Sequence, residues 1–148
     1  MTEPLPAVAE LLPHTGSAIL VDELRAETAD GVIAIARIGR AHALFAPQQH
    51  GVPSWVGIEL MAQAIALHAG LLARRGSGRP RVGYLLGTRR YAPSVANFAR
   101  GLELEIRAER SYLDDSGLGA YDCSIVSNGS ALASATLTVF QTEEEVGR

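Results

Sequence analysis

The run Ser54–Ala73, SWVGIELMAQAIALHAGLLA, decides how the rest of this chain is arranged. It holds no proline and is rich in alanine and leucine, so its roughly 20 residues predict about 30 Å of helix. Pro53 and Ser54 stand at its start. Arg74-Arg75-Gly76 stands at its end, where positive charge in the last turn followed by glycine is a usual stop. The run is apolar nearly all round, which predicts a buried helix rather than one lying on a surface. A membrane span is the competing reading for this length. Glu59 and Gln63 interrupt the run, however, and the segments around it need a core, so the expectation is a core helix with no membrane partner.

Outward from this helix the chain reads as strands. In Gly101–Arg110, GLELEIRAER, Leu102, Leu104, Ile106 and Ala108 fall on one face and Glu103, Glu105, Arg107 and Glu109 on the other, the period of two of a half-buried strand. Ala18–Leu24, Val32–Ile38, Arg81–Arg90, Leu118–Val126 and Ala131–Phe140 read similarly with less contrast. Asp30-Gly31, Asp114-Asp115-Ser116-Gly117 and Asn128-Gly129 separate them as turns, the last predicting a hairpin between the final two strands. The predicted architecture is α+β: one long central helix wrapped by an antiparallel sheet of five or six strands.

Composition narrows the function classes. With 148 residues the chain is expected to be one domain, 1–148, large enough to bury a core. Apolar residues make up 47% and charged residues 20%, which argues against disorder. A net charge of -3 argues against a nucleic-acid partner. The single cysteine, Cys123, rules out an internal disulfide and a two-cysteine metal site within one chain. The N-terminal MTEPLPAVAELLPHTG lacks the charged-then-apolar pattern of a signal peptide, and a cytoplasmic location is expected. There is no lysine anywhere, so Schiff-base chemistry, a lysine base and a P-loop lysine are excluded.

The candidate chemistry begins at Glu59, the only charged residue between Gly51 and Ala73. A carboxylate withdrawn from water without a partner should have a raised pKa, which suits general acid-base work. Gln63, four residues on, shares its face and is placed to orient it. His68, nine residues on, faces the other way. The competing reading is a structural Glu bonded to loop backbone or reaching the surface. At the helix start, the backbone N–H groups of Ser54, Trp55 and Val56 are expected to be free and suited to stabilising an oxyanion. An acid or base beside such a hole is equipment for chemistry on a thioester.

With these residues placed, the sequence resembles the hotdog-fold 3-hydroxyacyl-(acyl carrier protein) dehydratases, and is especially similar to the divergent branch encoded with aryl-polyene pathways. The match is carried by Leu11-Leu12-Pro13-His14 with Ala18–Glu23 (AILVDE), by Val52–Gln63 (VPSWVGIELMAQ), and by Gly83–Arg89 (GYLLGTR). The resemblance implies a hotdog fold, a homodimer with an acyl tunnel at the subunit interface, a catalytic carboxylate at Glu59, and helix-start amides around Ser54–Val56 that polarise the thioester. No cofactor or metal is implied. One departure matters. The family's catalytic histidine opens a His-Phe-Pro motif fourteen residues before the glutamate, and that position here is Phe45, in Phe45-Ala46-Pro47.

Four histidines are candidates to replace it. His14 comes first, because the resemblance also places a histidine there; His50, just before the helix, is second and His42 third, while His68 reads as a packed helix residue. The expected reaction is loss of water from a 3-hydroxyacyl thioester, carried on acyl carrier protein or coenzyme A, giving the trans-2-enoyl product. Two alternatives stay open: an acyl thioesterase on the same fold, and a non-catalytic acyl-binding subunit completing a heterodimer with another hotdog chain. Phe45 favours either. Arg74, Arg75, Arg79, Arg81, Arg89, Arg90 and Arg100 put seven of the 13 basic residues into one acid-free stretch, suited to an acidic carrier protein or its phosphopantetheine arm. Ordinary solvation of a helix end is the plainer reading. Tyr84, Phe98, Leu60 and Met61 are tunnel candidates, with core packing the first reading for each.

Overall fold

The structure, a computed structural model, describes residues 4–76 and 81–145. In chain order the elements are α1 (Val8–Leu11), a 3-10 turn at Gly16–Ala18, β1 (Glu23–Glu27), β2 (Gly31–Arg37), a 3-10 turn at Pro47–Gln49, and β3 (Gly51–Pro53). A further 3-10 turn at Ser54–Val56 runs directly into α2 (Gly57–Arg75). Then follow β4 (Arg81–Pro93), β5 (Asn97–Ala99), β6 (Glu103–Leu113), β7 (Leu118–Ser127) and β8 (Ser130–Glu145). The main sheet has six antiparallel strands in the order β1-β2-β6-β7-β8-β4, and β3 pairs with β5 in a separate ribbon. A long helix against a six-stranded antiparallel sheet is the hotdog arrangement that the resemblance implies.

The alternation in β6 does what its pattern demands: Leu104, Ile106 and Ala108 are buried against α2, and Glu103, Arg107 and Glu109 face solvent. Leu60, Met61, Ala64 and Leu67 present the helix's other side of that contact, all with no exposed surface. Phe98, Leu60 and Met61 are core residues, and the side chain of Tyr84 lies outside the described residues. The β7–β8 hairpin turns on Asn128 and Gly129, both with positive φ, a pairing that suits this turn because glycine and asparagine tolerate the left-handed region. Ser54–Arg75 is the one helix, among the described residues, long and apolar enough to cross a membrane, and most of it is buried within the fold.

Two elements depart from expectation. The predicted strand Ala18–Leu24 forms only from Glu23 onward. The backbone of Ala18 and Leu20 is bonded to side chains, Gln63 and His42, rather than to a neighbouring strand, and pairing with β2 begins only where Asp22 N–H donates to the Ile35 carbonyl at 2.7 Å. The β3–β5 ribbon escapes periodicity altogether, since three residues are too few to show a pattern. It nonetheless sets the helix start: Val52 and Phe98 are fully buried in it, and Ser54 N–H continues the ladder by donating to Ala96 C=O at 2.9 Å.

Candidate active site

Residues 4–20 form a strap along α2, and it is here that the sequence-distant candidates meet. Leu11 lies over Gly70, where even a Cβ would come within 2.9 Å of the Leu11 carbonyl oxygen, so a side chain there would push the strap away. Further along, Gln63 stitches the strap to the helix. Its Oε1 accepts from Leu20 N–H at 2.9 Å, and its Nε2 donates to the Ala18 carbonyl at 2.7 Å and to Glu59 Oε1 at 3.3 Å. Between these anchors the strap delivers His14, whose Nε2 sits 3.7 Å from Glu59 Oε1. Forty-five residues apart in sequence, the imidazole and the carboxylate are brought side by side over a buried amide.

The burial expected for Glu59 is not found. Its side chain keeps 47% of its surface exposed and that of His14 29%, whereas Gln63 has none. The cause is geometric. One sheet covers one side of α2, and Trp55, Glu59, Ala62, Ala66, Ala69 and Ala73, spaced three or four apart, form a stripe that this chain leaves partly or fully uncovered. Trp55, at 67% exposed, stands one turn before Glu59 on that stripe. Gln63 lies behind Glu59 with its amide engaged by the protein.

At the helix start, the Ser54 amide expected to be free is bonded to Ala96, which removes it from any oxyanion hole; of the two residues that follow in this turn, Trp55 is exposed and Val56 is fully buried. A residue that sequence reasoning missed holds this turn in place: Tyr91 of β4 donates its hydroxyl to the Ser54 carbonyl and lies directly over Gly57. Burial pushes the Tyr91 phenol's pKa up, so it remains a donor. Nothing in the sequence marked it, because the contact joins positions 37 apart.

Among the described residues, none of the remaining histidines lies within ion-pair distance of Glu59. His42 has both ring nitrogens occupied: Nδ1 accepts from Leu44 N–H at 3.1 Å, so the proton is on Nε2, which donates to Leu20 C=O at 3.1 Å. No lone pair is left to act as a base. His50 is exposed, holds a left-handed φ of 53° after the 3-10 turn, and has no side-chain hydrogen bond among the described residues. His68 is buried on the opposite side of α2, its Nδ1 2.5 Å from the Tyr121 hydroxyl. Cys123 is also buried, which pushes its thiol up to about 12 and keeps it an inert packing group. Among the described residues no group of three or more His, Cys, Asp or Glu is arranged to hold a metal ion.

The arginine-rich stretch does not fold into one patch. The chain turns back after α2, so Arg74 and Arg75 sit at the helix's C-terminal end while Arg89 and Arg90 adjoin Tyr91 at its N-terminal end, about 28 Å away at 1.5 Å per residue over 19 residues. Arg75 is held by both carboxylate oxygens of Glu27. Arg89, Arg90 and Arg100 are exposed, with Arg100 N–H bonded to the His50 carbonyl. Arg79 and the side chain of Arg81 lie outside the described residues.

Residues 6–147 match the family described as ApeP-like, ApeP dehydratase. By sequence, no curated protein matches the chain. Among solved structures it is similar to a chain of the dehydratase heterocomplex ApeI:P from Xenorhabdus doucetiae, with 25% identity, a TM-score of 0.85, and coverage of 94% of this chain and 93% of that one. It also resembles a hypothetical thioesterase with coenzyme A from Streptococcus pneumoniae, at 15% identity, TM-score 0.65, and coverage of 83% and 87%. The PaaI protein of the E. coli phenylacetic acid degradation operon is matched at 12% identity, TM-score 0.62, with 83% and 80% covered. The last two likenesses are of fold alone.

Proposed function

The chain belongs to the ApeP-like family of dehydratases, and we propose that it removes water from a 3-hydroxyacyl thioester to give the trans-2-enoyl thioester. The observation that carries this reading is the His14–Glu59 pair, a base and an acid 3.7 Å apart beside the helix start. His14 Nε2 takes a proton from the carbon next to the thioester carbonyl. Protonated Glu59 gives its proton to the departing hydroxyl, which leaves as water. The first-turn amides of Trp55 and Val56 hold the thioester oxygen while charge builds on it. The step ends with imidazolium facing carboxylate, an ion pair whose attraction at this distance is worth roughly 1 to 4 kcal/mol between water and a protein surface.

Phe45 leaves the usual histidine position without a base, and His14 supplies one from the strap. The uncovered stripe on α2 and the heterocomplex among similar structures support a second hotdog subunit packing beside the site, as a copy of this chain or as a different one. The substrate is proposed to ride on an acyl carrier protein, approaching Arg89 and Arg90 at the site end of α2 rather than Arg74 and Arg75. The likeness to the aryl-polyene branch supports a polyene-type chain, and the reduced, buried Cys123 suits a cytoplasmic enzyme.

The test is to follow the absorbance of the new conjugated double bond with a 3-hydroxyacyl carrier thioester. Glu59→Gln abolishes it in a protein that stays folded. Free thiol released in its place identifies a thioesterase, and binding without turnover identifies a non-catalytic subunit.

A further inference from the structure

We propose that Gln63 is a positioning residue for this reaction, fixing which oxygen of Glu59 carries the catalytic proton. The inference rests on the reading of His14 and Glu59 as the acid-base pair. A glutamine amide has an accepting end and a donating end, and here the backbone decides which is which. Leu20 N–H can only donate and so requires Oε1; Ala18 C=O can only accept and so requires Nε2. Flipping the amide breaks both bonds in a place with no water to replace them. The second Nε2 hydrogen is thereby aimed at Glu59 Oε1. An oxygen that faces an N–H cannot also carry a proton toward it, so the proton resides on Oε2.

The clamp is held from behind as well. Leu20 C=O accepts from His42, whose other nitrogen takes the Leu44 amide. The bonds run in one direction, from Leu44 through His42, Leu20 and Gln63 to Glu59, each donor passing to the next acceptor. Because the same clamp holds the strap, it also keeps His14 opposite Oε1. Gln63 on the same helix faces Oε1 before the reaction, and His14 on the strap, once it has taken the substrate's proton, presents its N–H to that same oxygen, so Oε2 is left for the substrate's hydroxyl. Among the described residues His14 is the only basic side chain within ion-pair reach of Glu59.

The experiment compares the pH profile of kcat/KM for the wild type with that of Gln63→Glu. In its protonated form the substituted carboxyl accepts from Leu20 and donates to Ala18, keeping the clamp, but has no hydrogen left for Glu59. Losing that donor favours the protonated pair, so the profile moves to higher pH by about one unit. A profile that stays in place, whether or not the rate falls, makes Gln63 a purely structural clamp and overturns the proposal. Should this variant not fold, the wild-type side-chain amide of Gln63 is read by NMR. The proposal expects slow exchange and a shift on Glu59→Gln; an amide insensitive to that substitution overturns it. An active Glu59→Gln enzyme refutes the acid-base pair itself, a result separate from either readout.

Discussion

The long helix carries a buried polar contact on its far side, and removing one half of it should be costly. His68 and Tyr121 are 2% and 1% exposed, their rings packed edge to face, with the Tyr121 hydroxyl 2.5 Å from His68 Nδ1. Tyr121→Phe keeps the ring and strands the imidazole nitrogen, a loss of about 1–3 kcal/mol. For a chain of this size that lowers Tm by very roughly 2–12 °C. Replacing both, His68→Leu with Tyr121→Phe, leaves no orphan and should recover most of the loss. The pair also sets a pH dependence. Burial lowers the His68 pKa below its ordinary 6.5, with Arg110 adding to the effect and Glu27, Glu109 and Asp30 opposing it. The unfolded chain therefore takes up this proton before the folded one does. The contribution of His68 is fully present above about pH 6.5 and is lost as pH falls from there toward the folded-state value, at up to about 1.4 kcal/mol per unit. Urea melts of wild type, single and double variants between pH 8 and pH 5 measure both effects. A Tyr121→Phe protein within 0.5 kcal/mol of wild type, or a double variant whose stability falls with acid as steeply as the wild type's, refutes the reasoning.

His14→Ala should lower kcat by about a hundredfold or more with the melting curve little changed, and His50→Ala by far less; the reverse order in a steady-state assay would make His50 the base. Gly57→Ala places a methyl against the Tyr91 hydroxyl and 3.1 Å from Ile125 Cδ1, so the ring must withdraw and give up Ser54. Overpacking of about 1–3 kcal/mol should outweigh the gain in helix propensity, and Tyr91→Phe in the same protein should relieve part of it; a Gly57→Ala chain as stable as wild type in urea would show that Tyr91 does not hold the helix start.

Much of the fold is legible in the chain because its signals are local. The apolar run of α2 and the alternation of β6 each announce themselves within a dozen residues, and Asn128-Gly129 marks its hairpin unaided. The site is less so. Glu59 stands out as a charge in an apolar helix, and Gln63 follows from helical spacing, but their partner His14 is reached only through the resemblance, since no periodicity links residues 45 apart. The strap misleads a strand reading for a physical reason: residues 18–20 have the apolar character of a strand, yet their backbone bonds to Gln63 and His42. The arginine run misleads in the same way, since Arg74 and Arg75, near in sequence to Arg89 and Arg90, are separated from them by the length of a helix. The exposure of Glu59 belongs to the same class, because a helix apolar on all sides does not say which chain covers each side.

The most direct trial is a single-substrate comparison: the chain purified with its native assembly, a 3-hydroxyacyl carrier thioester, and simultaneous readings of enoyl absorbance and free thiol for wild type and Glu59→Gln. Enoyl product from the wild type alone, with no thiol from either, is the expected pattern. Equal enoyl formation by both proteins would remove the helix carboxylate from the chemistry.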